Sequence, residues 1–191
     1  VMAYGYSKSR KIPSVVVDDV SGAAAIVTYL LDQGHKKVGV ITGKPDSLHA
    51  QARLVGYQQV LFQNKILYDP GLVAEGDWTR ESGYRCAAEL LEKGVSAIFA
   101  MNDLMAGGVY DRVEELKQTI GNEISVAGYD DRELSGYYHP PLTTVSLPLH
   151  DIGYKASEWM IELLNGGELE HTEENVCACL LYTSPSPRDT R

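Results

Sequence analysis

The feature that most constrains the fold is a series of short apolar runs in which polar and apolar residues do not alternate. Strands with such sequences are buried on both faces, as in a parallel sheet. The runs lie at residues 14–17, 38–41, 72–74, 96–100, 124–127 and 143–145. Segments with apolar residues at helical spacing separate them, at 21–33, 49–63, 80–93, 104–117 and about 149–165. This alternation predicts an open, doubly wound α/β fold with a parallel sheet.

Local signals indicate the faces and ends of these helices. The segment 49–63 is predicted to carry an apolar stripe that consists of Ala52, Val55, Gln59 and Phe62. Leu54 and Leu61 lie beside this stripe. Gly34 follows the first helical segment, where glycine commonly ends a helix. His35 is predicted to interact with the negative end of that helix dipole.

The composition is that of an ordinary globular protein. The 191 residues are 44% hydrophobic and 23% charged, which provides enough apolar side chain for a core, so disorder is not expected. The net charge of −9 argues against a chain that grips nucleic acid by itself, because phosphate binding needs clustered Lys and Arg. Cys86, Cys177 and Cys179 cannot form a disulfide framework, which fits a reducing compartment.

The two ends of the chain give expectations about targeting. No run approaches ~18 uninterrupted apolar residues, so no membrane span is expected. Residues 1–6 contain neither a basic leader nor an apolar run, so no signal peptide is expected, although upstream sequence is expected to be missing. Residues 182–191 are polar, Pro-rich and aperiodic, and are predicted to be a disordered or non-native tail.

Polar and aromatic residues follow the predicted strands at their carboxyl ends, where ligands of open α/β sheets bind. They are Arg53, Trp78, Asn102 and Asp130. Guanidinium, amide and carboxylate groups match the donors and acceptors of vicinal hydroxyls, and an indole offers a flat face to a sugar ring. The four residues therefore predict a site for a small polyhydroxy ligand.

Each of these residues also has a purely structural interpretation. Arg53 fits a solvated helix residue, and Trp78 fits a core residue. Asn102 or its neighbour Asp103 fits a helix cap, and Asp130 fits an Asx turn. Only their joint occurrence at strand ends favours a ligand site.

The motifs of catalysis and of cofactor binding do not occur in the sequence. There is no G-x-S-x-G elbow, no G-x-x-x-x-G-K-[ST] loop and no G-x-G-x-x-G after a strand. The five histidines are scattered, and Cys177-Ala178-Cys179 is not by itself a zinc-binding spacing. The sequence therefore predicts no cofactor, no metal site and no enzymatic activity.

Six motifs in the sequence, taken in order and with their spacing, point to one protein family. Individually weak but jointly specific, they fall within residues 13–167. They are GHKKV at 34–38, RLVGY at 53–57, EGDW at 75–78, AIFAMNDLMAGG at 97–108, ISVAGYDD at 124–131 and PLTTV at 141–145. Together they resemble the effector-binding core of LacI/GalR-type transcriptional repressors.

The resemblance implies a periplasmic-binding-protein-like (type I) core whose two lobes clamp an effector. Residues at the positions of Arg53, Asn102 and Asp130 bind the effector's polar groups in that family, and an aromatic residue at Trp78 packs on its ring in sugar-responsive members. The apolar positions that line the cleft near the crossover correspond here to Leu147 and Leu149. It also implies a cytoplasmic homodimer that binds operator DNA through a helix-turn-helix headpiece, which this chain lacks.

The same resemblance implies how the chain is divided. Residues 19–145 are expected to form a complete C-terminal lobe, and residues 1–18 and 148–175 part of an N-terminal lobe truncated at its start. The hinge is expected near Asp18-Asp19 and at 145–148. The segment 175–182 departs from the basic ending that is usual in the family.

The predicted function is the ligand-sensing domain of a LacI-type regulator, which binds a sugar or related metabolite and allosterically controls operator binding. One alternative is a periplasmic sugar-binding protein of a transport system, and another is an enzyme on the same scaffold. The motifs at 124–131 and 141–145 favour the regulator. The effector's identity stays open between a pyranose, a purine and a phosphorylated sugar, and so does its role as inducer or co-repressor.

Overall fold

The computed structural model describes residues 1–5 and 12–181, in which short strands alternate with helices. The strands are β1 (Met2–Ala3), β2 (Ser14–Val17), β3 (Val38–Thr42), β4 (Val73–Glu75), β5 (Ala97–Ala100), β6 (Ser125–Ala127), β7 (Thr144–Ser146), β8 (Glu173–Val176) and β9 (Cys179–Leu181). The helices are α1 (Asp19–Asp32), α2 (Leu48–Gln63), α3 (Arg80–Glu92), α4 (Asp103–Glu115) and α5 (Leu149–Leu164). The predicted tail at 182–191 lies outside the described residues, as do residues 6–11.

Two parallel sheets form the framework of the molecule. One places β4, β3, β5 and β6 side by side in that order, with Val40 opposite both Val73 and Phe99. The other places β1, β2 and β8 side by side, while β7 pairs antiparallel with β9. All residues of β2, β3 and β5 are buried, as their uninterrupted apolar runs predict. The doubly wound α/β prediction is confirmed.

Side-chain caps determine where four of the helices begin. In α1 to α4 the residue before the helix accepts a hydrogen bond from a backbone N–H of the first turn; these residues are Asp18, Ser47, Thr79 and Asn102. Each such cap is worth about 1 kcal/mol. At the other end of α1, Gly34 has a φ of 90°, a conformation that glycine adopts without steric cost, so the predicted helix end is confirmed.

Apolar side chains pack in two clusters. The larger one surrounds the four-stranded sheet and includes Phe99, Leu30 and Leu90. The smaller one joins β2 to α5 through Val15, Val17, Ile152 and Trp159. Leu147 packs against both clusters, so it lies where the chain crosses from one sheet to the other.

The buried face of α2 differs from the predicted apolar stripe. Phe62 is 84% exposed and Val55 is 41% exposed, although both were assigned to that stripe. The structure instead buries Ala50, Arg53, Gly56, Tyr57, Val60 and Leu61. Apolar periodicity misplaced the face because it gives no weight to an arginine that is buried through an ion pair.

The side chain of His35 makes contacts that the sequence did not predict. Its Nδ1 lies 3.0 Å from the Ser96 hydroxyl, and its Nε2 lies 2.9 Å from the Ser125 hydroxyl. Because Ser96 precedes β5 and Ser125 begins β6, the ring bridges two neighbouring strands, while the backbone N–H of His35 donates to the Leu30 carbonyl in the last turn of α1 at 3.2 Å.

Candidate functional site

The four polar and aromatic residues that follow the strands lie close together. The Arg53 guanidinium lies 3.7 Å from the Asp130 carboxylate and 5.8 Å from the centre of the Trp78 ring. Asn102 joins the group because its side-chain amide donates to the Trp78 carbonyl at 3.0 Å. The expected juxtaposition at the carboxyl edge of the sheet is therefore present.

Arg53 is the most enclosed of the four, with 1% of its surface exposed. Its Nε donates to Asp19 at 2.8 Å, its Nη1 donates to the Met101 carbonyl, and the guanidinium lies 3.7 Å over the Tyr129 ring. Burial opposes its charge, but Asp19, Tyr129 and Asp130 outweigh burial and raise the pKa of Arg53. The alternative of a solvated helix residue is wrong.

Asp19, at the start of α1, is a site residue that sequence reasoning assigned only to the hinge. Its buried carboxylate accepts from Arg53, and its other oxygen lies 2.6 Å from His49 Nδ1. Burial opposes this carboxylate, but His49 and Arg53 together lower its pKa. An acidic pair directly after a buried strand was the signal in the sequence.

His49 links this group to the other sheet. Its ring stacks on Tyr4, with centroids 4.8 Å apart and planes 20° apart. Tyr4 directly follows β1, whereas His49 belongs to α2 beside the four-stranded sheet. No sequence motif pairs these two residues, which are 45 positions apart, so only the folded chain reveals their contact.

Asp130 has the features of an acceptor that is held ready for a ligand. Its side chain is 16% exposed, and its oxygens lie 3.7 Å from both Arg53 and Arg132, beyond ordinary hydrogen-bond length. Burial raises the pKa of Asp130 to about 6, and Arg53 opposes this rise. Hydroxyl donors of a ligand would stabilise the charged carboxylate.

Trp78 is partly exposed and is packed against a glycine. A Cβ at Gly43 would lie only 1.9 Å from the Trp78 ring, so the indole occupies the space that a side chain there would need. Trp78 itself has a φ of 76°, which is uncommon for a residue with a bulky side chain. Packing thus holds the ring beside Arg53.

Asn102 has the structural role that was weighed as an alternative. Its Oδ1 accepts from Met105 N at 2.8 Å and caps α4, while its Nδ2 binds the Trp78 carbonyl. A side-chain amide has two donors and two acceptor positions, so one of each is left for a ligand.

The two leucines expected to line the cleft have different positions. Leu147 is half-buried at the crossover between the clusters. Leu149 begins α5, is 55% exposed and belongs to neither apolar cluster of the described residues. Of the two, Leu147 has the position expected of an apolar cleft residue.

Two further findings concern metals and membranes. Within the described part of the chain, no three His, Cys, Asp or Glu side chains are grouped so that they could hold a metal ion. None of the helices in residues 1–5 and 12–181 combines the length and apolar character that crossing a membrane requires.

The chain is similar to domains of known regulators. The model of the periplasmic binding protein-like domain family matches residues 27–183. The HTH-type transcriptional repressor CytR of Escherichia coli K12 is 32% identical over 168 residues, which are 87% of this chain and 49% of CytR. The chain thus spans about half the length of the curated relatives it matches.

Solved structures agree with the sequence comparison. A sugar-binding LacI-family regulator from Escherichia coli, complexed with phosphate, superposes with a TM-score of 0.84 at 30% identity and covers 95% of this chain and 66% of its own. The CelR regulator in complex with cellobiose superposes with a TM-score of 0.86 at 27% identity, covering 91% of this chain and 54% of its own. The chain belongs to the periplasmic binding protein-like family, in the form that LacI-family transcriptional regulators carry.

Proposed function

We propose that this chain is the effector-sensing domain of a LacI-family transcriptional regulator and that it binds a sugar or related metabolite beside Arg53 and Asp130. The observation that carries the proposal is the buried Arg53, held by Asp19 and placed 3.7 Å from a carboxylate with unused acceptor capacity. Trp78 beside them supplies the flat apolar face that the C–H side of a sugar ring needs.

The proposed mechanism is a change in lobe arrangement. Residues 19–145 form one lobe, residues 1–18 and 148–175 belong to the other, and the crossovers at Asp18-Asp19 and 145–148 act as the hinge. An effector shifts such an equilibrium only through its different affinity for the two arrangements. The Tyr4–His49 stack supports the idea, since it spans the two sheets beside the site.

The proposal includes the rest of the protein. A DNA-binding headpiece outside this chain would bind operator DNA, and two copies would assemble as a cytoplasmic homodimer. The named relatives are transcriptional repressors and regulators, which favours this function over sugar transport and over catalysis. The sugar named for CelR makes cellobiose the first compound to test.

The test is isothermal titration of the full-length protein with cellobiose, other neutral sugars and nucleosides. For a compound that binds, Asp130→Asn is expected to lower affinity about 10- to 100-fold, because it removes a charged acceptor from hydrogen bonds worth about 1.5–3 kcal/mol. Asparagine keeps the side-chain size and tolerates positive φ.

Asp131→Asn is the matched control. Asp131 is an exposed neighbour that also has positive φ, so its substitution should leave the affinity unchanged. Equal affinity of the wild type and Asp130→Asn would show that Asp130 does not bind the effector.

A further inference from the structure

The segment that carries Asp130 has an unusual backbone. Asp130 has a φ of 111° and Asp131 a φ of 55°, so two consecutive residues with side chains occupy a region that usually favours glycine. Such a conformation persists only where the surrounding structure determines it. The contacts of residues 129–132 therefore decide where the Asp130 carboxylate lies.

Each residue of this segment makes at least one hydrogen bond that holds its backbone. The Tyr129 carbonyl accepts from Asp103 N at 2.9 Å, and Asp130 N donates to the Val145 carbonyl at 3.0 Å. Asp131 N donates to the Thr144 hydroxyl at 3.4 Å, and Arg132 N donates to the Asp103 carboxylate at 2.8 Å. Asp103 thus binds both ends of the segment directly.

The Asp103 carboxylate also organises the groups around the segment. Oδ2 accepts from the Ser135 hydroxyl at 2.6 Å, and Oδ1 accepts from the Thr144 hydroxyl at 2.7 Å. Because Thr144 in turn accepts from Asp131 N, the carboxylate reaches that residue through one hydroxyl. A Cβ at Gly128 would lie 2.2 Å from Oδ1, so the glycine leaves room for this close approach.

We propose that Asp103 is a positioning residue. Its fully buried carboxylate binds Arg132 N directly and Asp131 N through Thr144, so that Asp130 lies beside Arg53 in the effector site. Asp103 acts only through Asp130 and has no contact with the effector. This inference rests on the proposed function of the site, and it assigns to Asp103 a task separate from the capping of α4, which Asn102 provides.

The charge of Asp103 also acts directly on the Asp130 carboxylate. Asp130 faces Arg53 of α2, Arg132 of its own loop, Asp103 of α4 and Asp19 of α1. After burial, which is the largest effect, Arg53 and Arg132 lower the pKa of Asp130 while Asp103 and Asp19 raise it. Removing the Asp103 charge, or loosening the loop into water, changes the Asp130 pKa in the same downward direction.

The experiment compares Asp103→Asn with the wild-type full-length protein without effector. NMR of labelled Asp carboxyl carbons should show the Asp130 titration midpoint, near 6 in the wild type, moving down by about half a unit or more. Amide hydrogen exchange at 129–132 should rise about tenfold or more, while the β3 and β5 amides stay protected.

Two further variants keep the outcome decisive. Glu114→Gln, an exposed carboxylate of the same helix, should change neither measurement. Thr144→Val removes one donor to Asp103 and the acceptor of Asp131 N, so it should raise exchange at Asp131 even if Asp103→Asn does not fold. An unchanged Asp130 midpoint in a folded Asp103→Asn protein, or unchanged exchange in Thr144→Val, would overturn the proposal.

These measurements separate the two claims. They use no effector, so a failed effector titration would affect the proposed function and leave the positioning role of Asp103 to stand on its own data.

Discussion

Arg53 and Asp19 show how this sequence places a charge inside an apolar sheet protein. A buried cation is tolerated because Asp19 pairs with it, the Met101 carbonyl accepts from it and the Tyr129 ring lies against it. Removing one partner of such a buried pair typically costs 3–5 kcal/mol. We therefore expect the pair to be held firmly in place, with the Asp130 carboxylate 3.7 Å from the Arg53 guanidinium.

Asp130 makes the stability of the protein depend on pH in a defined direction. Its pKa is about 6 in the folded chain against 3.8 ordinarily, so the folded state holds the proton more tightly. This contribution to stability is complete below about pH 4 and is lost as the pH rises through 6; about 2 pKa units correspond to about 3 kcal/mol at most. Asp130→Asn removes the titration, so its unfolding free energy relative to the wild type should increase between pH 4 and 7.

Urea unfolding of both full-length proteins across that pH range measures the difference. Asp131→Asn serves as the control, since that side chain is exposed. A constant difference between Asp130→Asn and the wild type from pH 4 to 7 would mean that Asp130 titrates normally.

Among the elements, α2 is the helix whose buried face the sequence pattern did not predict. Strands β2 to β7 were predicted, because continuous apolar runs are typical of buried strands, whereas β1, β8 and β9 were not. Helix ends were predicted from glycine and capping residues. The buried face of α2 was not predicted correctly, because its buried side includes Arg53 and Gly56 while its exposed side includes Phe62. The partners that hold Arg53 inside the protein, Asp19, the Met101 carbonyl and the Tyr129 ring, all lie outside α2.

The corrected face of α2 gives a direct comparison between adjacent positions. Leu61 is buried in the core and Phe62 is exposed. Leu61→Ala should lower the free energy of unfolding by about 2–5 kcal/mol, because it leaves a cavity. Phe62→Ala should change it by less than about 0.5 kcal/mol. Denaturant titration decides between this face and the predicted stripe, which requires the larger loss at Phe62.

In the candidate site, too, some features were predictable from local sequence and others depended on tertiary contacts. Arg53, Trp78, Asn102 and Asp130 were predicted because the carboxyl ends of parallel strands meet at one edge. The stacking of His49 on Tyr4 was not predicted, because it depends on how α2 meets a second sheet that is far away in sequence. The structural role of Asn102 was foreseen as a cap, but its bond to Trp78 was not.

At the scale of the whole molecule, the site lies beside the segments that join the two sheets. Asp19 begins the helix after β2, Leu147 follows β7, and Tyr4, directly after β1, contacts His49 of α2. A ligand that contacts Arg53 and Asp130 therefore adjoins the segments that must move if the sheets change their relative arrangement. The proposed sensing mechanism uses this proximity.

Operator binding with and without sugar tests the central claim most directly. The full-length protein would be titrated onto labelled DNA from upstream of its own gene, with and without each compound that binds, starting from cellobiose. We expect such a compound to change the affinity for DNA about 5- to 150-fold in the wild type, and to change it much less in Asp130→Asn. A bound sugar that leaves the affinity for DNA unchanged would contradict the account.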